Sequence, residues 1–384
     1  MAITHDRSKA VEIRKMTMQE TVNEAVNVLR RWHQGESYFT LTTSGSTGDP
    51  TPINHSREAL QWSAESTLKS WFQWPENSES HTPISPIQLC ILPLNKAGGF
   101  MQLIRSAVWN SPLWIGPASA SPFQEKHNIS LDAELTKNDL PFVLILNGEA
   151  LPFTWERWTQ YKPNLLSITP MQLQLALTES FGQQILSSMH TVLIGGQAMS
   201  ESLEKQLLSD FPKTRWIHTF GSTETASHFA GRILNHGTEE YTLTAGSSLT
   251  TTDSGEIQIC NPATNNRKIT LHDKIKQTSP TSFIWLGRTN LYINSGGVKI
   301  PVESLEMEIS SLLQWPISTF YVAGKPHPIL GEELTLFTTH SNAEISSINQ
   351  KLSILPKLHQ PKNIIFISAV SMTENGKIVR SINP

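Results

Sequence analysis

Short apolar runs that alternate with amphipathic stretches constrain the fold of this chain more than any other feature of its sequence. The runs are bounded by Gly, Pro or Ser, as strands buried on both faces are. They lie at 38–43, 88–94, 142–146, 165–168, 191–194 and 215–219. In the stretch 56–72, Leu60, Ala64 and Leu68 recur every four residues and therefore share one helix face. Strands that alternate with helices predict an α/β architecture with a largely parallel sheet.

Two further helices are predicted from the residues that would begin them. Thr169 followed by Pro170 is typical of an N-cap with proline in the first turn. Ser200 is likewise typical of an N-cap, for a helix over 201–209. Both positions fit the alternation of strands and helices.

The pattern changes after about residue 288. The elements predicted there are a helix near 302–312, strands near 317–323 and 333–339, a helix near 344–353 and a strand at 363–367. These elements make a compact α+β unit of roughly 95 residues, which is close to a common domain size. We therefore predict a large N-terminal α/β domain over 1–288 and a small, mobile C-terminal α+β domain over 289–384.

Charge and composition narrow the class of protein. Thirty Lys and Arg against 33 Asp and Glu give a net charge of −3, which provides no basic field for nucleic acid. Cys90 and Cys260 lie too far apart in the chain for a disulfide framework or a thiolate metal site. The first twenty residues are polar, and no apolar run reaches the length of a membrane span. We expect a soluble cytoplasmic protein without nucleic-acid partner or membrane insertion, and a homodimer stays open.

Three segments rich in small residues follow predicted strands, at 42–48, 192–197 and 219–225. Ligands of open α/β sheets bind at that edge. The first, TTSGSTG, offers amide and hydroxyl donors for a polyphosphate, although it is not a Walker A loop. In the third, Phe220 presents a flat face for a purine and Glu224 a hard oxygen for Mg²⁺. Each segment taken alone is equally an ordinary turn or a helix N-terminus.

Two later segments also stand out. WLGRTNLYINSGGVKIP at 285–301 falls where the pattern changes, so it marks a joint between domains. In TENGKIVR at 373–380, Asn375-Gly376 predicts a tight turn that presents Lys377 at a loop tip. An exposed lysine alone is usually only a solvated charge.

In this order, the five segments resemble those of the adenylate-forming superfamily, which includes acyl-CoA synthetases, luciferases and peptide-synthetase adenylation domains. The resemblance covers about residues 38–380. Within the superfamily the chain is most similar to short o-succinylbenzoate–CoA ligases of menaquinone biosynthesis. The residues that carry this similarity are LPL at 92–94, SITPMQL at 167–173, TETASH at 223–228 and INSGGVK at 293–299.

The resemblance implies a ligase that uses ATP and Mg²⁺ to adenylate a small carboxylic acid and then transfers the acyl group to coenzyme A, its co-substrate. It implies catalytic roles for Lys377, Glu224 and Thr223, with Glu224 also as the Mg²⁺ ligand. Phosphate contacts would come from Thr43, Ser44, Gly45, Ser46, Thr47 and Gly48. Adenine contacts would come from Gly195, Gly196, Gln197, Phe220 and Gly221, and ribose contacts from Asp273 and Arg288. Coenzyme A would meet Ser295, Gly296, Gly297 and Lys299. The second carboxylate of o-succinylbenzoate requires a buried donor, for which Arg105, Ser222, Thr225 and His228 are candidates, although Arg105 could equally be a paired structural residue.

The small domain would rotate about position 290 between the two steps. Several positions depart from the family pattern. Thr51 replaces a frequent lysine, Asn290 stands at the hinge, and Phe220 replaces the usual tyrosine. Asn95-Lys96 stands where many members carry an aromatic–histidine pair. The alternatives to the o-succinylbenzoate ligase are a CoA ligase for another aryl or acyl acid and a non-catalytic nucleotide-binding relative.

Overall fold

The computed structural model describes residues 17–43, 51–72, 86–119, 122–123, 142–289, 291–372 and 378–382. The helices in this part are α1 (Met18–His33), α2 (Arg57–Trp71), α3 (Ala97–Trp109), α4 (Trp155–Gln160), α5 (Pro170–Thr178), α6 (Ser180–Ser188), α7 (Glu201–Asp210), α8 (Val302–Leu313) and α9 (Ile345–Leu352). None of these helices is long and apolar enough to cross a membrane.

The strands as far as the middle of the chain are β1 (Tyr38–Thr42), β2 (Pro52–Ser56), β3 (Gln88–Cys90), β4 (Leu113–Ile115), β5 (Val143–Leu146), β6 (Glu149–Pro152), β7 (Leu165–Ile168), β8 (Thr191–Ile194), β9 (Arg215–Gly221) and β10 (His228–Ile233). The later ones are β11 (Tyr241–Leu243), β12 (Ser248–Thr251), β13 (Glu256–Cys260), β14 (Ile269–Ser279), β15 (Ser282–Arg288), β16 (Tyr292–Ser295), β17 (Val298–Pro301), β18 (Phe320–His327), β19 (Gly331–Thr338) and β20 (Asn363–Phe366).

The predicted helix starts are confirmed by their capping bonds. The Thr169 hydroxyl accepts from the backbone N–H of Gln172 in a capping box, with Pro170 in the first turn of α5. The Ser200 hydroxyl accepts from the N–H of Leu203 at the start of α7. Such bonds satisfy N–H groups that a helix end leaves free and typically stabilise it by about 1 kcal/mol.

The large sheet has thirteen strands in the order β12-β13-β14-β15-β11-β10-β9-β8-β7-β3-β4-β5-β6. Only its centre, β4-β3-β7-β8-β9, is parallel, and the pairs on either side are antiparallel. The prediction of a largely parallel sheet was therefore wrong for the sheet as a whole. Both flanks are built from hairpins, such as β5–β6 around Asn147 and Gly148 with positive φ, and hairpins make antiparallel pairs.

The apolar run at 38–43 does not join the large sheet. Its strand β1 pairs with β2 in a separate antiparallel hairpin, and Tyr38 is exposed while Phe39 is buried. The connection at 43–51 is too short for the crossover that a parallel pair requires.

The last part of the chain forms a second sheet with its own core. Strands β16 to β20 make a five-stranded sheet, and α8 and α9 pack with it around Leu305, Ile309 and Leu336. Helix α8 also contacts β15 and α7 of the large sheet's layer. At Gly287, with φ +110°, a Cβ would lie 2.9 Å from Ser304 Oγ of α8, so glycine permits this close approach. The mixed architecture agrees with the predicted fold class, and the boundary at 288/289 stays a prediction.

Candidate active site

A cavity of about 1480 Å³ lies at the carboxyl ends of the parallel strands, between the large sheet and α8. Among the predicted site residues, those that line it are Thr43, Arg105, Gly195, Gly196, Gln197, Phe220, Gly221, Ser222, Thr223, Glu224, His228, Asp273 and Arg288. Ser44, Gly45, Ser46, Thr47, Gly48 and Lys377 lie outside the described residues. Ile378, the residue after Lys377, lines the cavity.

The glycines after β8 let the backbone pass close to the next strand. A Cβ on Gly195 would lie 2.5 Å from Thr219 Oγ1, and Gly196 has φ +89°. The carbonyl of Gln197 is held by His218, whose Nε2 lies 3.0 Å from it. Burial lowers the pKa of His218 to about 4, so the ring is neutral at pH 7. Its Nε2–H donates to Gln197, and its Nδ1 accepts from the Tyr241 hydroxyl at 2.8 Å.

Phe220 forms one wall of the cavity. Its ring is half-buried and meets Phe229, Tyr241 and Phe283 with centroid distances of 5.6, 5.5 and 5.3 Å. All three contacts are edge-to-face, a favourable arrangement of aromatic rings. Next to it, a Cβ on Gly221 would lie 2.2 Å from the Ser227 carbonyl oxygen, so only glycine fits there. The wall is therefore a rigid apolar surface suited to a purine.

Glu224 lies exposed on a short 3₁₀ turn that follows this wall. The hydroxyl of Thr225 makes hydrogen bonds with the backbone of Ser222 and Ser227, and Thr225 is buried. Thr225 does not line the cavity, so the prediction that it contacts the acid is not supported. The carbonyl of Thr223 lies 2.8 Å from Nε2 of His55 on β2, which ties the turn to the β1–β2 hairpin.

Asp273 and Arg288 face each other across β14 and β15. Arg288 Nε lies 3.8 Å from Asp273 Oδ1, and the Trp285 indole donates to the same oxygen at 2.9 Å. The carboxylate therefore has a fixed orientation at the cavity wall. An acceptor beside a cation is the kind of group that binds the hydroxyls of a ribose.

Arg105 on α3 is a buried cation at the inner wall of the cavity, 2% exposed. One of its terminal nitrogens, Nη2, donates to Ser227 Oγ at 2.9 Å, and its Nε has no partner in the part of the chain that the structure describes. Across the described part of the chain, no carboxylate forms a salt bridge with it. Burial lowers its pKa to about 10, opposed only by Cys90, whose thiol pKa is raised to about 12 by burial. At pH 7 the guanidinium is charged and lacks a counterion among the described residues.

The sequence analysis missed four charged residues of the small sheet's layer that line the cavity, Glu303, Glu306, Glu308 and Arg380. Arg380 binds Glu306 through Nε and NH2 at 2.9 and 2.5 Å, and Glu306 also accepts from the N–H of Val322. Burial raises the pKa of Glu303, whose Oε2 has no hydrogen-bond partner within the described ranges. The helix α8 was predicted from the spacing of its apolar residues. That spacing gives no information about the role of the glutamates between the apolar positions.

The predicted coenzyme A residues lie apart from this cavity. Ser295, Gly296 and Gly297 form the turn between β16 and β17, with φ of +58° and +81° at the glycines. Lys299 Nζ donates to the Tyr292 hydroxyl at 3.0 Å. None of these four predicted residues lines the cavity in this arrangement, and their role stays a prediction.

A metal would find few protein ligands here. No group of three or more His, Cys, Asp or Glu suited to a metal occurs within the described ranges. Mg²⁺ in nucleotide sites is commonly held by one or two carboxylates together with phosphate oxygens and water. A single exposed carboxylate at Glu224 fits that mode and does not fit an all-protein cage.

Comparison with known proteins bears on the family. A family described as "AMP-binding enzyme" matches residues 142–269, which include β7 to β9 and the turn at Glu224. An acyl-CoA synthetase (AMP-forming)/AMP-acid ligase II-like protein from Dyadobacter fermentans has a similar structure, with 26% identity, a TM-score of 0.54, and coverage of 95% of this chain and 94% of that one. These matches support the resemblance to the adenylate-forming superfamily.

Two curated relatives in this superfamily differ in activity. The 2-succinylbenzoate–CoA ligase of Listeria monocytogenes is 24% identical over 97% of this chain and 75% of its own length. The D-alanine–D-alanyl carrier protein ligase of Bacillus licheniformis is 23% identical over 91% of this chain and 71% of its own length. The superfamily and the fold therefore agree with the sequence analysis, and the two relatives differ in the acid that their names give.

Proposed function

We propose that this chain is an ATP-dependent acid–thiol ligase that adenylates o-succinylbenzoate and transfers the acyl group to coenzyme A. The observation that carries the choice of acid is Arg105, a buried guanidinium at the cavity wall without a carboxylate partner in the described structure. A buried, unpaired charge is unfavourable by several kcal/mol, so an anion that reaches it binds strongly. The similarity to the Listeria enzyme supports the same acid.

o-Succinylbenzoate has the two negative charges that this arrangement needs. Its succinyl carboxylate is the one that reacts, and its aromatic carboxylate would lie against Arg105. An acid without the second carboxylate would leave the guanidinium buried and unpaired. A site built around a buried polar group rejects ligands that cannot satisfy it far more strongly than an apolar pocket rejects a change of shape.

The nucleotide would occupy the other end of the cavity. Its adenine would lie against Phe220 and beside the backbone of Gly195, Gly196 and Gln197. Asp273 and Arg288 would hold the ribose. These assignments rest on the family resemblance and on the finding that all these residues line the same cavity.

The first step brings two anions together, because a carboxylate attacks the α-phosphorus of ATP and pyrophosphate leaves. Lys377 would lie between the acid and the α-phosphate and lower their repulsion, and Thr43 with the loop at 44–48 would hold the departing phosphates. Mg²⁺, when bound at Glu224, supplies charge neutralisation at the phosphates. The carboxylate oxygen–phosphorus bond forms as the bond to pyrophosphate breaks.

In the second step the thiol of coenzyme A displaces AMP. The small domain, over 289–384, would rotate about Asn290 so that Lys377 leaves and the turn at Ser295, Gly296 and Gly297 approaches. In the present arrangement this turn does not line the cavity, which is consistent with such a rotation. A rotation of this kind would let one cleft carry out two reactions in sequence.

A panel of carboxylic acids scored by formation of CoA thioester tests the proposal. It includes o-succinylbenzoate, the same acid with its aromatic carboxylate methylated, benzoate, a fatty acid and D-alanine, each with ATP, Mg²⁺ and coenzyme A. We expect thioester from o-succinylbenzoate and at least a hundredfold less from its ester. Thioester from D-alanine or benzoate in preference would assign a different acid, and AMP formation from none of them would leave a nucleotide-binding protein without turnover.

Replacing Phe220 by alanine tests the adenine wall. Loss of one stacking surface is expected to raise the KM for ATP about tenfold and to leave the KM for the acid nearly unchanged. Phe220→Tyr keeps the flat ring and is the matched control. An unchanged KM for ATP in the alanine variant, measured by pyrophosphate release, would remove Phe220 from the nucleotide site.

A further inference from the structure

Arg105 stands at one end of a chain of hydrogen bonds that leads away from the cavity into α2. Its Nη2 donates to Ser227 Oγ at 2.9 Å, and Ser227 Oγ lies 3.4 Å from Nδ1 of His228. Nε2 of His228 lies 2.8 Å from Thr67 Oγ1. The Thr67 hydroxyl in turn lies 2.9 Å from the carbonyl oxygen of Ser63, one turn earlier on the same helix.

The direction of each bond follows from the number of protons available. A threonine hydroxyl has one proton, and only a donor can bond to the Ser63 carbonyl, so Thr67 donates there. The oxygen of Thr67 must then accept, which makes Nε2 of His228 the protonated nitrogen. A neutral imidazole carries one N–H proton, so Nδ1 is an acceptor and receives a hydrogen bond from the Ser227 hydroxyl.

Other groups around His228 support a neutral ring. Burial lowers the pKa of His228 well below its usual value, and the adjacent Arg105 cation lowers it further. Arg105 Nη2 lies 3.4 Å from Nδ1 and 3.5 Å from Nε2, and Trp71 packs on the ring with centroids 4.6 Å apart. The groups that face His228 are therefore one cation, two hydroxyls and an indole.

We propose that Thr67 is a positioning residue for the acid subsite, because it fixes His228 in the Nε2–H tautomer. In that tautomer Nδ1 accepts from the Ser227 hydroxyl, and the Ser227 oxygen is held where it accepts from Arg105 and orients the guanidinium. Thr67 is fully buried and does not line the cavity, so it cannot contact a substrate itself. His228, which the sequence analysis placed in contact with the acid, acts on it through Ser227 and Arg105. The identity of the acid in this inference rests on the proposed function. The chain of hydrogen bonds from Thr67 to Arg105 does not depend on it.

The opposite tautomer would change the wall. With its proton on Nδ1, His228 would point a donor at Ser227 Oγ and at Arg105, both of which already need acceptors. The Ser227 hydroxyl would then lose its acceptor and be free to donate elsewhere, and the Nδ1–H would face the Arg105 guanidinium, whose Nη2 lies 3.4 Å from Nδ1. The guanidinium of Arg105 would stay charged, but it would no longer be held in a fixed orientation toward the second carboxylate.

Thr67→Val removes the acceptor and keeps the shape of the side chain. We expect the KM for o-succinylbenzoate to rise about tenfold with kcat changed less than twofold, and the preference over its methyl ester to fall by the same factor. The matched control is Ser63→Ala, because Ser63 is buried on the same helix and its hydroxyl has no partner among the described residues, while its backbone carbonyl remains. A purely structural role of Thr67 would lower both kcat and thermal stability without changing the preference.

A second measurement needs no substrate. In protein labelled with ¹⁵N-histidine, NMR is expected to show His228 as the Nε2–H tautomer, without titration between pH 5 and 8. A His228 that carries its proton on Nδ1, or Thr67→Val with unchanged acid preference, would overturn the inference. Wild-type protein that activates neither acid would instead contradict the proposed function, and the tautomer would still be decided by the spectrum.

Discussion

Lys377→Ala is expected to lower the rate of acyl-adenylate formation about a hundredfold to a thousandfold and to leave thioester formation from pre-made acyl-adenylate within about threefold of wild type. The first half-reaction joins two anions and depends on a cation placed between them. The second half-reaction loses AMP to a thiol and does not need that cation. Ile378, the next residue, lines the cavity, which supports a lysine that acts there.

The measurement is pyrophosphate release for the first half-reaction and thioester formation from synthetic acyl-adenylate for the second. Lys362→Ala is the matched control, because Lys362 is an exposed lysine elsewhere in the same part of the chain. An equal loss of both half-reactions would mean that Lys377 supports the structure of the small domain or binds coenzyme A. If the variant has wild-type rates in both half-reactions, Lys377 has no part in the mechanism.

Arg105→Gln is expected to have opposite effects on activity and on stability. We expect kcat/KM for o-succinylbenzoate to fall about a hundredfold, since a neutral amide cannot pair with the second carboxylate. The melting temperature of the free protein is expected to rise by a few degrees, because a buried cation without a counterion is replaced by a neutral group. The methylated acid is expected to lose little, because it makes no ion pair with Arg105.

Arg232→Gln is the matched control for burial of an arginine. Arg232 forms a salt bridge with Glu204, and both side chains are mostly buried. Removing this cation leaves the carboxylate unpaired, so the melting temperature is expected to fall. A fall in melting temperature for Arg105→Gln as well, together with equal losses for both acids, would show that Arg105 has a structural role.

Local signals in the sequence were sufficient for much of the fold. The caps at Thr169 and Ser200 depend on residues within three positions, and β7 and β8 lie where short apolar runs predict them. The edges of the large sheet were not predictable in this way. Apolar alternation finds a strand, but its partner and direction depend on the connection that follows, as the hairpin at 38–56 illustrates.

Part of the candidate site also depends on distant pairs. Glu306 and Arg380 lie 74 residues apart and meet at the cavity, and Arg105 meets Ser227 across 122 residues. The sequence analysis named Arg105 and His228 as candidates for contact with the acid, but it did not show which of them faces the acid. The tautomer of His228 can be assigned from the single hydroxyl proton of Thr67 only when the positions of Ser63, Thr67 and His228 are known together. Thr225 belongs to a known motif and is used by its own turn.

The most direct test of the central claim is mass spectrometry of the products formed from ATP, Mg²⁺ and o-succinylbenzoate without coenzyme A. We predict the mixed anhydride of o-succinylbenzoate and AMP, together with one pyrophosphate for each molecule of it. ATP that stays intact with this acid, or that is converted to ADP and phosphate, would contradict the account.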